Sequence, residues 1–258
     1  MAEPLLSLDG ITVRFGGLTA LDRMTFAVAE GAVVSLIGPN GAGKTTAFNV
    51  ITGYLAPSAG EIGYRGRSIV GLKPHQIAAR GLVRTFQKTS VFAARSVFEN
   101  VLIGLHLSGR GRIWEILLGL PRVAAEERGL ERRASEILDF AGLAGHANEI
   151  AGALAYGDQR LLEVAIALAA GPSLLLLDEP VSGMNPSETA RFMAMVGRIR
   201  ARGVTILLIE HDMRMVMGVS DRIVVLNYGR IIAEGAPAEV RRDPEVIRAY
   251  LGREAAHA

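Results

Sequence analysis

Apolar positions along this chain follow two periods, and the period switches twice. Leu6, Leu8, Ile11 and Val13 recur near every second residue around a turn predicted at Asp9-Gly10, and Met24 to Val28 alternates in the same way. Residues 5–30 therefore read as strands. Phe15 falls between the two runs, ahead of Gly16-Gly17, and its spacing alone fits a core aromatic as well as a functional one. Ala32 to Ile37 is an apolar run; Gly38 to Thr46 is rich in glycine; Ala47 to Gly53 reads as a helix. Residues 61–72 predict short strands about a glycine turn, Pro74 to Arg80 a short helix closed by Gly81, and Val83 to Gln87 a strand ending in a polar residue.

From about Ser96 to Leu154 the strand period disappears. Leu130, Ala134, Ile137, Leu138 and Ala141 mark one face of a helix, with Glu126, Glu127, Arg132, Arg133 and Glu136 mostly opposite, and Gly142 ends it. Those charges predict a solvated face, and the cluster Ile113, Trp114, Ile116, Leu117, Leu118 and Leu120 predicts internal packing. The alternating pattern then returns. Gly157 to Ala170 reads as a helix stopped by Gly171-Pro172, and Ser173 to Leu177 is a continuous apolar run of the kind buried parallel strands show. Asn185-Pro186 starts another helix, with Asn as cap and Pro at the first position, running to about Arg202. Val204 to Ile209 is a second buried strand, Arg222 to Glu234 a hairpin about Tyr228-Gly229, and the last twenty residues read as helical. The sum is an α/β chain with a helical segment set into it.

Composition narrows the class. At 258 residues the chain can bury a sizeable core, as one large domain or one carrying an inserted subdomain. Half of it is hydrophobic, yet the longest apolar stretch, Val164 to Leu177, is 14 residues and holds Gly171 and Pro172, short of the roughly 20 that a membrane span needs. Met1-Ala2-Glu3-Pro4 shows no signal-peptide pattern. The absence of cysteine excludes disulfides and thiolate-bound metal and suits a reducing cytoplasm. A net charge of +2 without a basic stripe predicts no nucleic-acid partner.

The chemistry is concentrated in Gly38-Pro39-Asn40-Gly41-Ala42-Gly43-Lys44-Thr45-Thr46. Strand, glycine loop, helix is the context in which G-x-x-x-x-G-K-[ST] means a phosphate site. The glycines let successive N–H groups converge on an anion, and the helix from Lys44 adds its positive dipole end. Lys44, one of three lysines in the chain, reaches the β- and γ-phosphates in this reading, and the Thr45 hydroxyl ligates Mg²⁺. Asp178 and Glu179 follow the apolar strand at 173–177; Asp178 is placed as a second Mg²⁺ partner and Glu179 as a base polarising water. His211 ends the neighbouring strand and is placed to contact the γ-phosphate.

The set Gly38–Thr46, Gln87, Leu154-Ala155-Tyr156-Gly157-Asp158-Gln159, Leu174–Glu179, Ser182–Asn185 and His211 resembles the nucleotide-binding subunit of an ATP-binding-cassette transporter, in that family's order and across nearly the whole chain. The resemblance implies a P-loop NTPase (RecA-like) core with an antiparallel β-subdomain and an inserted α-helical subdomain: residues 1–95 and 156–258 for the core, 96–155 for the insertion. It implies that Phe15 stacks on adenine, that Gln87 contacts Mg²⁺ and the attacking water, and that Ala155, Tyr156, Gly157 and Asp158 face the ATP held by a second cassette. Ser182 to Asn185 match the loop crossing that interface.

Within the family the chain looks closest to the ATP-binding subunit of branched-chain amino-acid importers, on Arg84-Thr85-Phe86-Gln87, Leu154-Ala155-Tyr156-Gly157, Leu208 to Met213 and Ala249-Tyr250-Leu251-Gly252. That implies ATP and Mg²⁺ as cofactors, a partner ATPase, two membrane-spanning permease subunits, a substrate-binding protein, and a peripheral place on the cytoplasmic face of the plasma (inner) membrane. Departures stand beside it: Ala155 for the usual serine, Asp158 for glutamine, which sets negative charge near the shared site, Asn185 for aspartate, and Leu161 and Ile166 where arginine is common. Two other classes fit less well. A DNA- or ribosome-acting cassette needs long coiled-coil arms or two fused cassettes, and the sequence shows neither a sustained heptad run nor a repeat. A small-molecule kinase needs an acceptor pocket and lid and leaves residues 154–159 and His211 unexplained. Urea and amides are alternative cargoes.

Overall fold

The computed structural model describes residues 3–85, 91–106 and 121–254. In chain order these form β1 (Leu6–Phe15), β2 (Leu18–Val28), β3 (Val33–Ile37), α1 (Lys44–Ile51), β4 (Ala59–Tyr64), β5 (Arg67–Ser68), α2 (Pro74–Ala78), β6 (Leu82–Arg84) and α3 (Val97–His106). Then come α4 (Pro121–Ala141), α5 (Tyr156–Ala169), β7 (Leu174–Asp178), α6 (Pro186–Ala201), β8 (Thr205–Ile209), α7 (Met213–Val219), β9 (Arg222–Asn227), β10 (Arg230–Gly235), α8 (Pro237–Val240) and α9 (Pro244–Glu254). Among the described residues the strands make two sheets, an antiparallel one in the order β2-β1-β4-β5 and a mixed one in the order β10-β9-β3-β8-β7-β6. The run β9-β3-β8-β7-β6 is parallel throughout.

The continuous apolar runs are explained by burial on both faces. Val34, Leu36, Leu174, Leu176, Leu207 and Ile209 point into the cluster shared with the antiparallel sheet and α1. Their neighbours Val33, Leu175, Leu177, Ile206 and Leu208 point into the cluster shared with α3, α4, α5 and α6. A third cluster joins Ile37, Ile223 and Val225 to α7, α8 and α9. The strands alternate as pleating requires, but each face meets a covering layer, so both faces of β3, β7 and β8 are apolar apart from the buried Ser35, Thr205 and Asp178. Ala134, Leu138 and Ala141 of α4 are buried as their spacing predicts, and Gly142 leaves the helix at φ 74°. No helix among the described residues is long and apolar enough to cross a membrane.

Two expectations change. Asp9-Gly10 is not a turn: β1 runs through it, with a shift in register between Leu8 and Ile11 and Gly10 at φ 60°. The bulge persists because β1 pairs on both sides, with β2 and β4, and because Thr25 Oγ1 accepts the Gly10 N–H at 2.9 Å. The reversal lies instead at Gly16-Gly17, where Phe15 pairs with Leu18. The strand expected at 83–87 spans Leu82–Arg84, the length that pairs with β7. Gln87 and the cluster Ile113–Leu120 lie outside the described residues.

Leu176 is fully buried between the two sheets. Leu176→Ala should lower the unfolding free energy by about 2–5 kcal/mol, measured by urea denaturation followed by circular dichroism.

Candidate functional site

The parallel strands β3, β7 and β8 deliver the chemistry at their C-terminal ends, the edge where open α/β sheets place ligands. After β3 the chain enters Gly38–Gly43, and the packing leaves no room for a side chain at its first and last positions. A Cβ on Gly38 would overlap the Leu226 carbonyl oxygen, and one on Gly43 would lie 2.7 Å from the Ala20 carbonyl oxygen. Gly38, Gly41 and Gly43 hold φ of 150°, 79° and 108°. The loop thus threads between β2 and β9, and α1 begins at Lys44 with Gly43 as its cap. Lys44 is buried, and its ammonium donates to the carbonyls of Gly38 at 2.7 Å and Pro39 at 3.1 Å. The charge is therefore held over the glycine loop at the start of α1, an arrangement that suits an anion.

Asp178, the last residue of β7, is buried and accepts from Arg84 at 2.7 Å. The same guanidinium donates to Asn49 Oδ1 at 2.8 Å and lies 5.4 Å from the Phe48 ring centre. One arginine so ties β6 and β7 to α1. Glu179 follows at φ 47°, in the left-handed region that residues other than glycine adopt at a cost. Its N–H bonds the Ile209 carbonyl at 2.9 Å. Phe15, Asn40, Lys44, Thr45, Thr46 and Glu179 line one cleft of about 410 Å³. Thr45 and Asp178 are two oxygen donors rather than a closed cage, the donor set that suits Mg²⁺ carrying phosphate oxygens and water.

His211 stands apart from that lining, its side chain 61% exposed and its Nδ1 3.7 Å from Glu210 Oε2. Residues 155–158 are also absent from the cleft's described lining; Ala155 and Tyr156 face solvent at the start of α5.

The model of the family described as "ABC transporter" matches residues 21–182, and that described as "Branched-chain amino acid ATP-binding cassette transporter" matches residues 230–256. The high-affinity branched-chain amino acid transport ATP-binding protein LivG of Salmonella typhimurium is 46% identical over 253 residues, 98% of this chain and 99% of that protein. BraF of Pseudomonas aeruginosa, with the same description, is 45% identical over the same shares. Among solved structures, the ADP conformation of an ATP-binding cassette of an ABC transporter superposes with a TM-score of 0.85 at 33% identity, over 97% of this chain and 100% of that one. A nucleotide-free cassette gives 0.84 at 33%, over 96% and 99%.

The chain belongs to the ABC transporter family. It is an ATP-binding cassette, the ATPase subunit of a transporter, and its P-loop α/β fold is that of the family's solved members.

Several of the cassette's contacts bear on the departures noted above. Asp158 does not present a bare charge, since Arg191 of α6 pairs with it at 2.8 Å. Asn185 caps α6, accepting the N–H groups of Ser187 and Glu188, a role amide and carboxylate side chains share. Leu161 is a buried core residue. Three side chains have supporting roles that the sequence did not assign to them. Arg84 holds Asp178. Arg160 bonds the Tyr156 hydroxyl through Nε at 3.0 Å and Nη2 at 2.7 Å, while that hydroxyl donates to the Ser182 carbonyl at 2.9 Å. Glu210, with a fully buried side chain, accepts N–H groups from His211 at 2.7 Å, Asp212 at 3.0 Å and Val181 at 3.1 Å. Arg84 and Glu210 stand in runs that carry the family resemblance, but the signal for a supporting role was only a charged residue beside an apolar strand, which reads equally as a solvated strand end.

Removing Glu210 takes the acceptor from three N–H groups in two adjoining loops. Glu210→Ala should cost about 2–4 kcal/mol of stability, read from urea unfolding, with Glu210→Gln losing clearly less.

Proposed function

We propose that this cassette binds Mg²⁺-ATP at residues 38–46 and hydrolyses it to drive import of branched-chain or similarly hydrophobic amino acids. The observation that carries the ATPase part is the meeting of Lys44, Thr45 and Glu179 in one cleft, with buried Asp178 at the end of the same strand. The cargo rests on the transport function of the LivG and BraF relatives, which match 98% of this chain.

In this reading Gly38 to Thr46 wrap the phosphates, with Pro39, Asn40 and Ala42 contributing backbone, and Phe15 stacks on adenine. Thr45 and Asp178 hold Mg²⁺, which neutralises charge on the phosphates and leaving oxygens. Glu179 takes a proton from the attacking water. His211 supports the γ-phosphate, and Gln87 completes the water and metal contacts.

Ala155, Tyr156, Gly157 and Asp158 face the nucleotide of a second cassette, consistent with their distance from this chain's own cleft. The Tyr156–Ser182 bond supports that assignment, because it joins the start of α5 to the loop 182–185 that would cross the interface. Two permease subunits and, through them, a substrate-binding protein complete the assembly. The cassette sits peripherally on the cytoplasmic face of the plasma (inner) membrane, with 96–155 as the inserted helical subdomain. A groove of about 800 Å³ between α2, β6, α3 and α5, reaching Thr85 just ahead of Gln87, suits a permease segment.

Glu179→Gln should retain ATP binding and lose about a hundred-fold or more in turnover, measured as phosphate release in the assembled transporter. Unchanged turnover would remove Glu179 from the role of base. Reconstitution with the permeases and binding protein tests the cargo: leucine, isoleucine or valine should stimulate the ATPase, whereas stimulation by urea or amides alone would overturn the amino-acid reading.

A further inference from the structure

Three of the large apolar side chains left most exposed among the described residues line the cleft that holds Lys44 and Thr45. Phe15 is 51% exposed, Leu18 66% and Tyr228 76%. Phe15 and Leu18 pair across the β1–β2 reversal, whereas Tyr228 comes from the far end of the chain, at the tip of the β9–β10 hairpin. Isolated exposed apolar residues are ordinary, but three gathered around one concavity of charged and hydroxyl groups point to a ligand with an apolar face.

The backbone of Tyr228 strengthens the case. It holds φ 45°, a conformation that glycine or asparagine takes readily at a two-residue hairpin tip and that an aromatic residue takes only under strain. The hairpin has no freedom to relieve it. Gly229 N–H donates to the Ala42 carbonyl of the glycine loop at 2.9 Å, its carbonyl accepts from Asp22 N–H at 2.9 Å, and Arg230 pairs with Asp22 at 2.5 Å. The tip is thus fastened to the loop and to β2 together, and it carries its aromatic ring to the cleft's edge. Strain of this kind at a cleft is a reason to look for function.

We infer that Tyr228 forms a second aromatic wall of the nucleobase pocket, so that the base of the bound nucleotide is held by Phe15 and Tyr228 rather than by Phe15 alone. The inference rests on the reading of residues 38–46 as the triphosphate site and adds a base contact to it. Every base offers a π-face, so this wall raises affinity for purine nucleotides generally and does not select adenine over guanine.

The test separates base from phosphate. Tyr228→Asn removes the ring and supplies a residue suited to the left-handed backbone, so it should melt at the same temperature as the wild type or higher. Its dissociation constant for Mg²⁺-ATP, by isothermal titration calorimetry on the full chain, should rise about tenfold or more, while that for Mg²⁺-tripolyphosphate stays unchanged; Tyr228→Phe should keep wild-type ATP affinity. ATP affinity within about twofold of wild type in Tyr228→Asn, or a parallel loss for tripolyphosphate, would overturn the inference. Failure of the wild type to bind either ligand would instead overturn the phosphate-loop reading, and this one with it.

Discussion

The passage of a loop with glycine at both ends between β2 and β9 is the constraint on which this cassette depends. Gly38 lies against the Leu226 carbonyl of β9 and Gly43 against the Ala20 carbonyl of β2. Any Cβ at either place would push the antiparallel sheet or the β9–β10 hairpin away from β3. The same contact does two things. It fixes the path of the loop's backbone, and it fastens both hairpins that edge the cleft to the residues that form its floor. A phosphate site of the kind proposed for this loop would be preorganised by packing rather than by the ligand.

Around that loop, buried charges connect segments that lie far apart in the chain. Arg84 reaches Asp178 across 94 positions and Asn49 across 35, so the strand that leads toward Gln87 cannot shift without disturbing the carboxylate at the end of β7. Breaking one partner of such a buried pair costs about 3–5 kcal/mol, enough to make the three elements move together. Glu210 does the same for two loops, with backbone N–H groups in place of a cation. Its carboxylate holds the turn after β8 against the turn after β7, so His211 and the segment 181–185 share one support. The Tyr156–Ser182 bond then extends the linkage to the start of α5. A change at the cleft therefore has a contiguous route of hydrogen bonds to the surface proposed to meet a second cassette.

The helical segment belongs to the same mechanical unit. Val97, Val101 and Leu105 of α3 and Leu138 of α4 pack in one cluster with Leu175, Leu177 and Leu208 of the sheet. Its base is thus continuous with the core that carries Asp178, and the groove beside α3 opens on the strand next to that residue.

The sequence alone determined the elements whose signals are local. The parallel strands, the glycine loop, the cap at Asn185, the hairpin about Tyr228-Gly229 and the helical face from Leu130 to Ala141 each follow from spacing within a dozen residues. The family's motifs were legible for the same reason, since each is a short contiguous run. Tertiary structure decided what depends on a distant neighbour. Asp9-Gly10 became a bulge because β1 is paired on both sides. Arg84 and Glu210 became buried supports because β7, α1 and the Val181 turn close over them. Asp158 became half of an ion pair because α6 brings Arg191 within 2.8 Å. Periodicity reports which face of an element is buried, but the partner that satisfies a buried charge is chosen by the fold.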